Sequence, residues 1–267
     1  MIREPAVAGQ FYSAEPKRLR KSLDSYLRVS ETLLDAKAIV APHAGFMYSG
    51  PIAGAVYGAV KLPRRFVVLG PNHTGRGAPL GLSPAGEWRL PFGSVAIDAD
   101  LNRRLLEEDP ALREDRAAHS QEHSLEVQLP FLQAIVPDFR FSAICVGTSD
   151  YSSLEALGHA LARVVRNWPE PVLLIASSDM THYESAELAR EKDSAAIERV
   201  LAVDPSGLYR VVHEKKISMC GYAPTVSVLV ACQDLGPSEG RLIRYGNSGE
   251  ISGDYHFVVG YAGLAIL

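Results

Sequence analysis

Four short apolar runs recur along the chain, each closing on glycine, proline or serine with a polar residue behind it. They are AKAIVAPH (36–43), RFVVLGPNH (65–73), FSAICVGTSD (141–150) and PVLLIASSD (171–179). Their length and their Val, Ile and Leu content predict strands buried on both faces. Elsewhere the apolar spacing becomes helical. Residues 17–29 place Leu19, Leu23, Tyr26 and Leu27 on one stripe and predict a surface helix; further helices are predicted over 50–60, 98–109, 123–135, 153–168, 184–202 and 224–235. The closing stretch DYHFVVGYAGLAIL reads as one or two strands that complete the sheet. Strand and helix in alternation predict crossover connections, hence an α/β fold: a central, mostly parallel or mixed β-sheet with helices on both faces. No repeat, low-complexity tract or linker divides the chain, so a single domain over 1–267 is expected.

Composition narrows the class. With 47% apolar and 22% charged residues in a chain of 267, neither disorder nor a membrane protein is indicated. A net charge of −4, with Lys and Arg scattered among Asp and Glu, offers no broad attraction for phosphate backbones, so nucleic acid is not an expected partner. The start, MIREPAVAGQFYSAEP, carries Arg3, Glu4 and Pro5 where a secretory apolar run would stand, and no later stretch approaches membrane-spanning length. A cytoplasmic protein with no membrane association is expected.

The candidate chemistry lies where the predicted strands stop. If the four runs are roughly parallel, their C-terminal ends share one side of the sheet, where open α/β folds form their ligand crevices. His43 ends the first run, His73 the second and Asp150 the third, while Asp179 ends the fourth with His182 just beyond. A lone loop histidine is usually a solvated or hydrogen-bonded surface residue. Shared placement changes that: glycine follows His43 and His73 within two residues, Pro42 and Pro71 stiffen the approach, and two converging neutral imidazoles are most simply held by a metal.

Three cysteines without paired spacing do not suggest a disulfide framework. Cys145 lies inside a strand run and Cys232 inside a helix, as small buried apolar residues do. Cys220 stands at the start of a predicted helix, where the positive end of the helix dipole favours thiolate, the ligand form. It is either a third metal ligand or a structural thiol beside a cap. His119 and His123 flank Glu122 in an H-x-x-E-H spacing that, on a helix, would suit an inverted zinc-peptidase site.

Seven blocks in order, AVAGQFY, APHAGFMYSG, GPNHTG, EHSLEVQLPFL, ASSDMTHY, MCGYAP and NSGEISGDYHFVVGYAG, together resemble the Memo family, whose bacterial and archaeal members are labelled AmmeMemoRadiSam system protein B. The resemblance covers nearly the whole chain. It implies an α/β domain similar to class III extradiol ring-cleaving dioxygenases, which hold a non-haem ferrous ion in a strand-end pocket. It further implies metal ligation by His43, His73 and Cys220, the cysteine standing where those dioxygenases use a carboxylate. Asp179, His182 and His123 correspond to pocket residues, His182 resembling the acid-base histidine, and Phe11 to a pocket wall; His119 matches nothing in the pattern. The family label implies a functional link to a radical-SAM enzyme.

The leading expectation is a metal-dependent oxidoreductase holding Fe(II), with copper or zinc as alternatives, and acting on an unidentified small molecule or peptide. In it His182, oriented by Asp179, moves protons, and His123 steadies a bound anion or oxygen species. A soft thiolate shifts metal preference and is itself oxidisable. The alternatives are a non-catalytic module that captures a peptide or small anion in the same pocket and a zinc hydrolase centred on His119 and His123.

Overall fold

The computed structural model describes residues 2–267. The strands are β1 (Ile2–Arg3), β2 (Ala38–Ala41), β3 (Arg65–Pro71), β4 (Leu80–Leu82), β5 (Glu87–Leu90), β6 (Gly93–Ala96), β7 (Arg113–Glu114), β8 (Arg140–Val146), β9 (Val172–Ser177), β10 (His182–Glu184), β11 (Gly240–Asn247) and β12 (Val258–Ile266). The helices are α1 (Pro16–Tyr26), α2 (Phe46–Tyr57), α3 (Ala99–Glu108), α4 (Leu129–Ile135), α5 (Tyr151–Asn167), α6 (Ala186–Leu201), α7 (Pro205–Glu214), α8 (Tyr222–Asp234) and α9 (Gly249–Ser252).

The four apolar runs are β2, β3, β8 and β9, and they lie side by side. In the large sheet the order is β10-β12-β2-β9-β3-β8-β4-β7, with β11 added on β12. Within it β2, β9, β3 and β8 are mutually parallel, while β12 pairs antiparallel with β2 and β4 antiparallel with β8, which makes the sheet mixed. The parallel register sets Val40 beside Ala176, Ile175 beside Val68 and Leu69 beside Ile144. All four strands therefore end on one side.

Both faces of these strands are covered, as their unbroken apolar character requires. Side chains alternate between the faces. Val67, Leu69, Ile144, Leu174 and Ala176 enter one core with Leu105, Leu157, Leu208 and Leu229 of α3, α5, α7 and α8. Phe66, Val68, Ala143, Leu173 and Ile175 enter the other, with Leu19, Leu23, Val56, Phe131 and Trp88 from α1, α2, α4 and β5. A smaller sheet, β1-β5-β6, closes this second face. The result is a single α/β domain with mixed sheets flanked by helices.

Three local departures from the sequence pattern have physical causes. Helix α2 begins at Phe46, ahead of the expected residue 50, and accommodates Pro51 inside it. The helix expected from 123 begins only with a 3-10 turn at Glu126–Gln128 and continues as α4, whose first turn carries Pro130; His123 is left in irregular chain. Helix α7 follows an Asp-Pro start that apolar periodicity passed over, and the Asp204 carboxylate caps it by accepting from Gly207 N–H at 2.8 Å.

Candidate metal centre

At the end of β2 the chain passes through Pro42 to His43, which is 2% exposed. Its backbone N–H donates to Asp179 Oδ1 at 2.7 Å, tying the end of β2 to the segment after β9. Its Nδ1 lies 2.9 Å from Ser177 Oγ. That hydroxyl already gives its own hydrogen to the Ser124 carbonyl at 2.6 Å, so it accepts from His43, and Nδ1 carries the proton. The lone pair of His43 is thereby fixed on Nε2, whose near neighbour is Cys220 Sγ at 3.2 Å. Gly221 permits this approach: a Cβ there would sit 2.3 Å from the Ser177 carbonyl oxygen, so only glycine lets the start of α8 press against the end of β9. Burial, then the nearby imidazoles of His123, His73 and His182, push the His43 pKa well below its usual value, and the ring is neutral at pH 7.

His73 follows the end of β3, where Asn72 Oδ1 accepts from Thr74 and Gly75 N–H and turns the chain. Its own backbone N–H and Nδ1 both engage Glu122, at 2.7 and 2.9 Å from the two carboxylate oxygens. A carboxylate accepts only, so Nδ1 is protonated here too and Nε2 is the free donor atom. Glu122 is wholly buried and also accepts from Ser124 N–H at 2.9 Å. Burial would raise its carboxyl, but the His73 hydrogen bond and charge together with Ser124 N–H outweigh it and hold the group down to about 2. Close approach again needs a glycine, since a Cβ on Gly70 would meet Ser124 Oγ at 2.5 Å.

Beside Glu122 stands His123, its Nδ1 3.5 Å from the same carboxylate. Its ring stacks on His73 at 4.6 Å between centroids and meets His43 edge-on at 5.5 Å, while Phe11 covers its outer side at 4.7 Å. His43, His73 and His123 each offer one ring nitrogen, all within 4.8 Å of one another. Nitrogens around one tetrahedral ion stand about 3.4 Å apart, given bonds of about 2.1 Å, so small side-chain adjustments suffice for a shared cation. The lowered pKa values of His43 and His123, the Nδ1 bonds of His43 and His73 and a buried carboxylate behind one of them fit a transition-metal site.

A family model described as Memo-like protein matches residues 3–265. The chain belongs to the Memo family. The MEMO1 family proteins of Methanopyrus kandleri, Methanosarcina barkeri and Aquifex aeolicus are 40%, 41% and 39% identical to it, each alignment covering at least 98% of both chains. Among solved structures, the uncharacterized protein JW3007 from Escherichia coli K12 superposes with a TM-score of 0.56 over 85% of this chain and 98% of that chain. At 14% identity this likeness is one of fold.

In this Memo chain the other residues singled out by sequence divide between site and scaffold. His182 lies at the start of β10, its N–H donating to Ser218 Oγ at 2.7 Å and its Nδ1 to the Ser218 carbonyl at 2.9 Å, which leaves Nε2 outside these bonds. Ser218, not Asp179, therefore orients His182. Asp179 instead accepts from the N–H groups of His43 and Ala44, and burial raises its carboxyl. Cys220 precedes the first turn of α8, as the sequence suggests, yet burial and then the charge of Asp179 push its thiol well up. Together they outweigh the helix dipole that favours thiolate, so on its own surroundings the group stays protonated.

His119 faces away from the three imidazoles: Nε2 pairs with the Gly81 carbonyl at 2.9 Å and the ring meets Trp88 edge-on at 5.7 Å. No helix spans 119–123, so the i,i+4 geometry that an H-x-x-E-H zinc site needs is absent. Asp150 caps α5. Sequence reasoning passed over Ser177 and Ser218 and weighed Glu122 only as part of the H-x-x-E-H spacing. The signal for Glu122 was its adjacency to His123; nothing in the pattern pointed to its bond with His73.

Proposed function

We propose that this Memo protein binds a transition-metal ion through His43, His73 and His123, with the sulfur of Cys220 as a further donor beside His43, and works as a metal-dependent oxidoreductase. The observation that carries the reading is the trio of imidazoles, two of them held by Ser177 and Glu122 with their lone pairs on Nε2. Nitrogen donors with a soft sulfur suit Fe(II), copper or zinc, and iron or copper, when bound, would supply one-electron and oxygen chemistry. The chain's own groups do the rest. His182 Nε2, left unpaired by the Ser218 bond at Nδ1, takes a proton from a substrate hydroxyl or returns one. Phe11 walls the site against water on the side of His123. This donor set and strand-end placement are similar to those of class III extradiol dioxygenases, with thiol in place of carboxylate.

Purification without oxygen followed by elemental analysis tests the reading. Wild-type protein is expected to carry close to one iron or copper per chain and His43→Ala to carry none; equal metal in both would sink the proposal.

A second reading is capture of a peptide or small anion without turnover. What favours it is the exposed apolar surface beside His182: Tyr183 of β10 is 75% exposed, and Phe257, just before β12, is 69% exposed. Binding that survives a chelator and strengthens as pH falls would favour this alternative.

A further inference from the structure

Glu122 and His123, which hold two corners of the candidate centre, lie on chain with no regular structure: from Asp115 to Leu125 there is neither helix nor strand. Irregular chain places functional groups less well than strands or helices do, unless other contacts fix it. Here one side chain from near the N-terminus provides three such contacts. Arg3 Nε donates to the His119 carbonyl at 2.7 Å, Nη2 to the Glu122 carbonyl at 2.7 Å, and Nη1 to Glu126 Oε2 at 2.7 Å. Its guanidinium lies 4.0 Å over the Trp88 ring, which sets the plane of the fork.

Glu126 is itself wholly buried. Besides Arg3 it accepts from the N–H groups of Ala6 and Val7, at 2.7 and 3.1 Å, and from the Tyr12 hydroxyl at 2.6 Å. The N-terminal segment is thus fastened to the chain just after His123. The same segment then delivers Phe11 onto the His123 ring and ties back to α2 through Phe46 N–H and the Phe11 carbonyl at 2.8 Å. A planar fork with five donors can meet acceptors at 119, 122 and 126 together; a lysine ammonium in its place is a point charge without the fork.

We propose that Arg3 is a positioning residue of the metal centre: by clamping the carbonyls of His119 and Glu122 and the carboxylate of Glu126, it sets where the Glu122 carboxylate and the His123 ring stand. The proposal rests on the metal-binding reading above. Arg3 touches none of the three imidazoles, so its effect reaches them through the loop.

The test titrates Co(II) into full-length wild type, Arg3→Met, Arg3→Lys and His43→Ala, with affinity read by competition against a chelating dye and coordination by visible d–d absorption. Arg3→Met is expected to weaken Co(II) binding about tenfold and to shift the d–d bands, in line with other outer-shell partners of metal ligands. Arg3→Lys, which keeps a charge against Glu126 without the fork, should fall between Arg3→Met and wild type, and it decides the matter if Arg3→Met does not fold. A purely structural arginine would lower the melting temperature of the metal-free protein and leave the spectrum unchanged. Wild-type affinity and spectrum in either folded Arg3 variant, while His43→Ala binds no Co(II), overturns the proposal. Wild-type binding by His43→Ala instead overturns the metal reading, and this inference with it.

Discussion

The two halves of the candidate centre are held in different ways. His43, Asp179 and Cys220 stand at the ends of β2 and β9 and at the start of α8, and the backbone of the sheet fixes them: His43 N–H to Asp179, and Gly221 against Ser177. His73, Glu122 and His123 form a half in which one irregular loop supplies two members. That loop is fixed by side chains: Arg3 reaches its carbonyls on one side, and its own His119 bonds the Gly81 carbonyl of β4 on the other. The first half inherits its precision from strand register. The second depends on a set of individual hydrogen bonds, so single substitutions should act on it more strongly.

The largest effect on the loop that carries the second half is expected from acid. His119 is buried and neutral, its usual pKa of 6.5 lowered to about 4, first by burial and further by the charge of Arg3, against the opposing Gly81 bond. Folded protein then binds fewer protons at His119 than unfolded chain between those values. Stability from this group is complete above about pH 6.5 and falls as pH drops toward 4, by about 3 kcal/mol in all. Urea unfolding of wild type and His119→Gln across that range checks it. The wild type should lose more stability than the variant by that amount, and parallel curves would show that the loop does not depend on a neutral His119. Glu122, held down to about 2, adds a second loss at lower pH, from about 4.5 downward.

Next in size is the contrast between the two groups that orient imidazoles. Ser177 accepts from His43 as a neutral hydroxyl, whereas Glu122 accepts from His73 as a buried carboxylate with a further hold on its backbone. Hydrogen bonds to charged groups are worth about 1.5–3 kcal/mol and neutral ones about 0.5–1.5. Glu122→Gln should therefore weaken Zn(II) binding by about 10–100-fold and Ser177→Ala by about 2–10-fold, measured by competition with a chelator. The reverse order would mean that the strand-built half is the fragile one.

The same difference explains what was legible in the sequence. The four parallel strands were plain from their apolar runs, because burial on both faces leaves no polar position inside them, and His43, His73 and Asp179 followed from where the runs end. The strand-end placement of Cys220 beside His43 depended on Gly221, which marks a turn in sequence but says nothing about which strand it meets. The loop was opaque for a physical reason. H-x-x-E-H reads as a helical face only if a helix is there, and residues 119–125 are irregular, helix starting only at Glu126. His119 and His123 consequently point to different places, and the carboxylate between them serves His73, 49 positions away. Arg3 is more distant still, joined to Glu126 across 123 positions, and no local pattern announces such a bond. Small strands such as β4 and β6, three and four residues long, lack the length for periodicity to show.

The third apolar run gives the smallest and most discriminating test. It too ends in a carboxylate, Asp150, yet β8 leads straight into α5, and the carboxylate serves the helix. Its Oδ2 accepts from Ser153 N–H at 2.9 Å and from the hydroxyls of Ser152 and Ser153 at 2.6 and 2.7 Å. Those bonds satisfy donors that the first turn of a helix otherwise leaves unpaired and hold the Asp150 carboxyl below its usual pKa. Asp150→Ala is expected to lower the melting temperature by roughly a few degrees and to leave metal content at the wild-type level. Paired calorimetry and elemental analysis read both quantities on one preparation. A fall in metal content would bring the end of β8 into the site, and the division into strand-built and loop-built halves would then be drawn in the wrong place.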